Sequence, residues 1–229
     1  MFFDTILQKE PDIETLAQKR DIPGLIRVLY SKNPHIQSAA VHALGDIGQD
    51  AVGPLVLALK RKNRNLRLGA IGALSEIKDS GAISALANMM NDPVSEVRWQ
   101  AAIALGEMGS HETVAPLLCG LKDQDKYVRY GSAISLVKNG YQLSGEDEWA
   151  WYYAAMQDWD QLRVMGLSAL APLFNLLRDT DSHVRVHAIR ILGDIGDFKA
   201  GIALIRSLGD SDRQVRWEAA LASQKCGVP

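Results

Sequence analysis

The stretch SEVRWQAAIALGEMG, Ser95 to Gly109, is the clearest copy of a unit that recurs along almost the whole chain. Its arginine, Arg98, has counterparts at Arg67, Arg129, Arg185 and Arg216, with Gln37 in the same slot of the first copy. Successive slots lie 30, 31, 31, 56 and 31 residues apart, so a period near 31 is interrupted once. Self-similarity at such a period predicts stacked units, none of which buries its apolar face without its neighbours. The expected fold is all-α: a right-handed α-solenoid of about six two-helix repeats.

Each copy divides into two helices with different signatures. The first, expected on the outer side, carries the aligned leucines Leu25, Leu55, Leu86, Leu117, Leu173 and Leu204. Pro54, Pro116 and Pro172 precede three of them and read as first-turn residues, where a missing N–H costs nothing. A polar turn follows, Asp-x-Asp at 123–125, 179–181 and 210–212. Its second aspartate is placed to cap the next helix, a role that falls to Ser95 in the third copy. The inner helix then reads V-R-x-x-A-A-x-A-L-G, and its small pairs Ala101-Ala102, Ser132-Ala133 and Ala219-Ala220 permit close approach of neighbours. Eleven residues after the arginine slot stand Gly48, Gly109, Gly140, Gly196 and Gly227, with Lys78 the exception. Glycine there closes a helix in the left-handed conformation.

This divides the chain into an N-terminal cap at 1–20, repeats 1–4 at 21–143, an inserted helix pair at 144–168 and repeats 5–6 at 169–229. Together they read as one continuous solenoid. Residues 1–10 are expected to form a short helix or arm, and Pro11 to Glu14 to open a cap helix that runs to about Lys19. The long gap holds 25 residues beyond one repeat. Acids open one predicted helix there, Glu146 to Met156, and Gly166 ends a second, Trp159 to Met165. Trp149, Trp151 and Trp159 read as an aromatic plug that seals the joint.

Composition narrows the function. With 25 basic and 27 acidic side chains the net charge is −2. That is not the basic footprint of a nucleic-acid binder, whose affinity comes largely from phosphate neutralisation. Cys119 and Cys226 fall in different repeats and suggest no disulfide framework. The first ten residues lack the basic start and apolar run of a secretion signal, and no stretch approaches the ~18–20 apolar residues of a membrane span. The expectation is a soluble cytoplasmic protein.

The units resemble HEAT repeats of the phycobilisome-lyase-like subtype, an A-V-x-P-L-x-x-A-L helix, an acidic turn and a V-R-x-x-A-A-x-A-L-G helix, over residues 21 to 143 and 167 to 227. The resemblance implies an armadillo-like superhelix with the V-R helices on its concave face. Members include bilin lyase subunits and chaperones, deoxyhypusine hydroxylase and prokaryotic scaffolds, so the site must choose among them. The several His-Glu pairs of deoxyhypusine hydroxylase are not matched: the one pair here, His111-Glu112, falls in a loop.

If the V-R helices line a groove, the residues one, two and five after the arginine slot face it, and the first and last of these sets carry the apolar side chains. The first set includes Leu68, Trp99, Tyr130, Val186 and Trp217; the last includes His42, Ile103, Ile134, Arg190 and Leu221. Tyr127 joins them, and His187 is counted with the polar rim. Trp99 should align beside Tyr130, and Ile103 beside Ile134. Contiguous apolar surface with aromatic anchors marks an interaction site, unless the stack itself buries it. The partner-binding residues expected are therefore Leu68, Trp99, Ile103, Tyr127, Tyr130, Ile134, His187, Arg190, Trp217 and Leu221. The repeated arginines read as a structural ladder with aspartates of their own and adjacent turns. His183 and His187 share a helix face but lack a third ligand, so no metal, cofactor or catalytic residue is assigned. The functional reading is a non-enzymatic scaffold for a protein or peptide, with no nucleic acid and no membrane. The alternative is an accessory factor of the bilin lyase or chromophore-chaperone type, in which groove aromatics stack on a tetrapyrrole.

Overall fold

The structure, a computed structural model, describes residues 12–227. The segment expected at 1–10 lies outside the described residues. Every regular element among the described residues is helical. The chain forms two compact units, 1–104 and 105–229.

In the first unit α1 (Ile13–Gln18) leads into α2 (Ile22–Val28), α3 (Pro34–Ile47), α4 (Gln49–Leu59), α5 (Arg64–Ile77) and α6 (Ile83–Met89), and α7 (Ser95–Met108) begins there. The second unit holds α8 (Val114–Gly120), α9 (Lys126–Lys138), α10 (Gly145–Met156), α11 (Trp159–Met165), α12 (Leu170–Leu176), α13 (Ser182–Ile195), α14 (Phe198–Ser207) and α15 (Arg213–Lys225). The six copies are the pairs α2–α3, α4–α5, α6–α7, α8–α9, α12–α13 and α14–α15.

Local chemistry sets the helix ends. The second aspartate of each acidic turn caps the inner helix as expected: Asp125 accepts from the Tyr127 and Val128 amides, Asp181 from His183, and Asp212 from Gln214 and Val215. Ser95 differs, being the first helical residue of α7, with the Val94 carbonyl accepting from Val97 and Arg98. The five closing glycines all have φ between 60° and 76°, and Lys78 takes the same left-handed conformation at 55° despite its Cβ. Pro116 and Pro172 are third residues of their helices, each preceded by a short 3-10 turn. Pro54 does not fit the first-turn reading: α4 runs straight on from Gly48, so this proline sits in its second turn.

All six aligned leucines are fully buried, each worth about 1.5–3 kcal/mol relative to exposure. Small residues set the spacing of the inner helices. A Cβ on Gly193 would lie 2.7 Å from Ala222 Cβ, so α13 and α15 meet nearly backbone to backbone there. In the same way Gly45 faces Glu76 and Gly106 faces Ser135.

Where the period breaks, α9 and α13 are pinned near their N-termini by Lys126 to Asp181 (Nζ to Oδ2, 2.6 Å) and Arg129 to Asp179 (Nη2 to Oδ2, 2.5 Å). Between them α10 packs on α9 and α12, while α11 packs on α13. Tyr153 and Trp159 lie against the buried cluster of this unit. Trp149 stacks on Tyr153 at 5.5 Å, and Lys122 Nζ sits 5.1 Å from the Trp151 ring.

Candidate functional site

The repeated arginine makes two kinds of contact, and only one involves a carboxylate. Nη1 turns back to the turn ahead of its own helix, donating to the carbonyls of Arg61 and Lys62 for Arg67, Asp92 for Arg98, Asp123 and Gln124 for Arg129, Asp179 and Thr180 for Arg185, and Asp210 and Ser211 for Arg216. At Arg67, Arg129 and Arg185 the remaining nitrogens reach the first aspartate of the next copy. Arg67 Nη2 donates to Asp92 Oδ1 at 2.9 Å, and Arg185 grips Asp210 with Nε at 2.9 Å and Nη2 at 2.8 Å. Arg129 reaches Asp179 although the insert separates them. The expected ladder is present, with the own-turn half made by backbone oxygens. Gln37 has no aspartate ahead of it and spans the Leu29 and Asn65 carbonyls instead.

The expected partner-binding residues fall in separate places. In the first unit Trp99 is exposed, while Leu68 and Ile103 are half-buried. In the second, Tyr127, Tyr130 and Ile134 form an exposed apolar face on α9. Val186, expected to face outward, is 7% exposed, whereas Trp217 in the same slot is 65% exposed. Val186 belongs to the buried cluster of this unit, so the slot is covered in one copy and open in the other.

His187 and Arg190 lie on α13, which packs against α11, and Leu221 shares a cleft with Arg190 and Arg163 of α11. The Trp159 ring stacks on His187 at 4.9 Å and 5°. Burial, with Arg190 nearby, holds the His187 pKa below its usual value. Beside this pair Arg163, Arg190, Asp194, Glu218, Leu221 and Lys225 line an open cleft of about 650 Å³. Arg190 donates to Glu218 at 2.5 Å and Lys225 to Asp194 at 3.0 Å, with Arg163 Nε 3.4 Å from Asp194. The Arg190 hydrogen bond holds the Glu218 carboxyl below its ordinary pKa. Arg163 belongs to the insert, and its part in this cleft is absent from the repeat pattern. His183 Nδ1 lies 3.2 Å from Asp181, while the His187 ring lies against Trp159.

No helix of the described residues is long and apolar enough to cross a membrane. The pattern of the family described as HEAT repeats matches residues 52–137 and 147–224. Over 119 residues the chain is 31% identical to the bilin biosynthesis protein RpcF of Synechococcus sp. (strain WH8020), covering 48% of this chain and 57% of that protein. Over 126 residues it is 36% identical to the bilin biosynthesis protein MpeU of the same organism, covering 51% and 42%. The chain thus spans about half the length of the curated relatives it matches. Among solved structures, human deoxyhypusine hydroxylase in complex with glycerol is similar at a TM-score of 0.45 and 16% identity, covering 94% of this chain and 99% of that one. The complex of CpcE and CpcF of phycocyanin lyase from Nostoc sp. PCC7120 is similar at 0.42 and 19%, covering 90% and 94%.

Proposed function

Because the chain belongs to the HEAT repeat family, we propose that it is a repeat-built accessory protein of bilin biosynthesis that binds a bilin and a protein partner on its inner helices. The observation that carries this reading is the similarity of about half the chain to two bilin biosynthesis proteins. It ranks the chromophore reading above the general protein scaffold that the sequence favours.

The cleft between α11, α13 and α15 is where the bilin is proposed to bind. A bilin is a linear tetrapyrrole, an extended apolar plate with two propionate carboxylates. The cleft volume of about 650 Å³ falls within the roughly 300–1,000 Å³ of small-molecule sites. Leu221 offers an apolar contact, and Arg163, Arg190 and Lys225 offer three cations for carboxylates. Each cation already faces Asp194 or Glu218, so a propionate binds by exchange with a side-chain carboxylate. The exposed Tyr127, Tyr130 and Ile134 of α9 support a separate contact for a protein, since aromatic anchors on an open face are the usual hot-spot chemistry.

Titration of the chain with biliverdin tests the reading. A shifted bilin absorption band and quenched tryptophan emission are expected, with affinity falling about tenfold or more in Arg190→Ala and Leu221→Asp. An unchanged bilin spectrum with no quenching refutes the chromophore reading.

A further inference from the structure

We propose that the groove between the outer helices α12 and α14 binds a single short amphipathic helix, through acids at its positions i and i+7 and apolar residues at i+3 and i+4. The inference stands apart from bilin binding, which is placed on the inner helices.

One side of α14 carries the complementary pattern. Lys199, Ile202, Ala203 and Arg206 stand at i, i+3, i+4 and i+7, so they share one face of the helix. All four line an open groove of about 370 Å³, whose other wall is Phe174, Leu177 and Arg178 at the end of α12. Phe174 and Leu177 pack against the buried cluster of this unit and give the groove an apolar floor. Lys199 and Arg206 lie two turns apart, about 10 Å along the axis, with the apolar residues between them. That is farther than one carboxylate or phosphate reaches. It matches two acids two turns apart on a helix laid along the groove, whose apolar side chains then meet Ile202 and Ala203.

The cations of the groove are free to take such a ligand. Arg178, Lys199 and Arg206 are exposed, and among the described residues no carboxylate pairs with any of them. Asp210 closes one end of the groove, but Arg185 holds both of its oxygens. By contrast the exposed Arg190 and Lys225 pair with Glu218 and Asp194 of the neighbouring inner helix.

The groove also departs from the repeat. Arg178 stands five residues after the aligned leucine of its copy, and Lys199 and Arg206 stand five before and two after the next one. In those three slots no other pair of successive copies has more than one cation, Lys60 or Lys122. Ile202 is 53% exposed, where the other copies have Pro23, Gly53, Ser84, Ala115 and Ala171. A requirement of stacking would act on every copy alike. Three unpaired cations and an exposed isoleucine collected in one groove are instead the features of a docking surface for an acidic amphipathic segment.

The test is fluorescence anisotropy of a short labelled alanine-based peptide, with glutamates at i and i+7 and leucines at i+3 and i+4, titrated with the full chain. Moving the second glutamate to i+5, at equal charge and composition, should weaken binding about tenfold, because the acid leaves the shared face. Lys199→Glu with Arg206→Glu should weaken it about tenfold or more, and a peptide with lysines at i and i+7 should restore it. Should that charge reversal disturb folding, Ile202→Ser, which leaves every cation in place, should weaken the glutamate peptide about fivefold. Biliverdin binding should be the same in the variants as in the parent chain. Equal affinity for the i+7 and i+5 peptides, or affinity indifferent to these substitutions, overturns the proposal. So does failure of the lysine peptide to bind the folded double variant, loss of biliverdin binding in that variant, or binding to phosphatidylserine vesicles with none to the peptide.

Discussion

The ladder makes the same arginine worth very different amounts at different positions, and Arg129→Ala is the sharpest test. Its side chain is 1% exposed and that of Asp179 is 0% exposed. Truncation leaves the Asp179 carboxylate buried with the Asp181 amide still donating to it, and frees the Asp123 and Gln124 carbonyls. Breaking a buried pair by removing one partner costs about 3–5 kcal/mol, because an uncompensated charge stays inside. Arg216→Ala removes only two hydrogen bonds to exposed turn carbonyls, and should cost under about 1 kcal/mol. Arg185→Ala, at a partly exposed bidentate pair, should fall between them. Replacing both partners together, Arg129→Met with Asp179→Leu, should recover most of the loss, since burying a pair of charges is itself expensive. Urea unfolding followed by tryptophan emission reads the second unit well, with Trp149, Trp151, Trp159 and Trp217 in it. If Arg129→Ala and Arg216→Ala lie within about 1 kcal/mol of each other, the buried rung does not hold α9 to α13 and the reasoning fails.

Three further outcomes follow from helix packing and from the Lys126–Asp181 pair. Gly193→Ala should destabilise by about 1–3 kcal/mol in thermal melts, because its Cβ would meet Ala222 Cβ at 2.7 Å and Cα at 3.0 Å. Gly72→Ala, whose nearest neighbour would be Val41 Cγ1 at 3.4 Å, should be neutral or gain up to about 1 kcal/mol from helix propensity. In acid, the Asp181 carboxyl is pulled down to about 2, first by the hydrogen bond from Lys126 and then by the His183 amide. A depressed folded-state pKa gives stability that is complete above the unfolded value of 3.8 and is lost as pH falls toward 2. The fall in urea midpoint over that window should be smaller in Lys126→Met; an unchanged fall would remove Lys126 as the cause.

What was legible in the sequence is what repeats. Lys78 is left-handed because the eleventh residue after the slot must turn there, whatever side chain it bears. The inner-helix caps are legible for the same reason. The division of labour inside Asp-x-Asp was not, since both aspartates stand close to an arginine in sequence. Only the offset separates them: Arg67 to Asp92 and Arg185 to Asp210 are both 25 residues apart, and Arg129 to Asp179 is 50, the same offset with the insert added. That arithmetic was available, but its meaning depends on knowing that Nη1 is already committed to the turn behind.

The candidate cleft was less legible because one of its walls comes from the insert, which obeys no period. Arg190 and Leu221 are repeat slots, but Arg163 and the Trp159 that covers His187 come from the insert. A slot therefore gives the direction in which a side chain points, whereas the neighbouring copy decides whether anything covers it. Val186 and Trp217 share a slot and differ: Val186 is buried in the cluster of its unit, whereas Trp217 is 65% exposed.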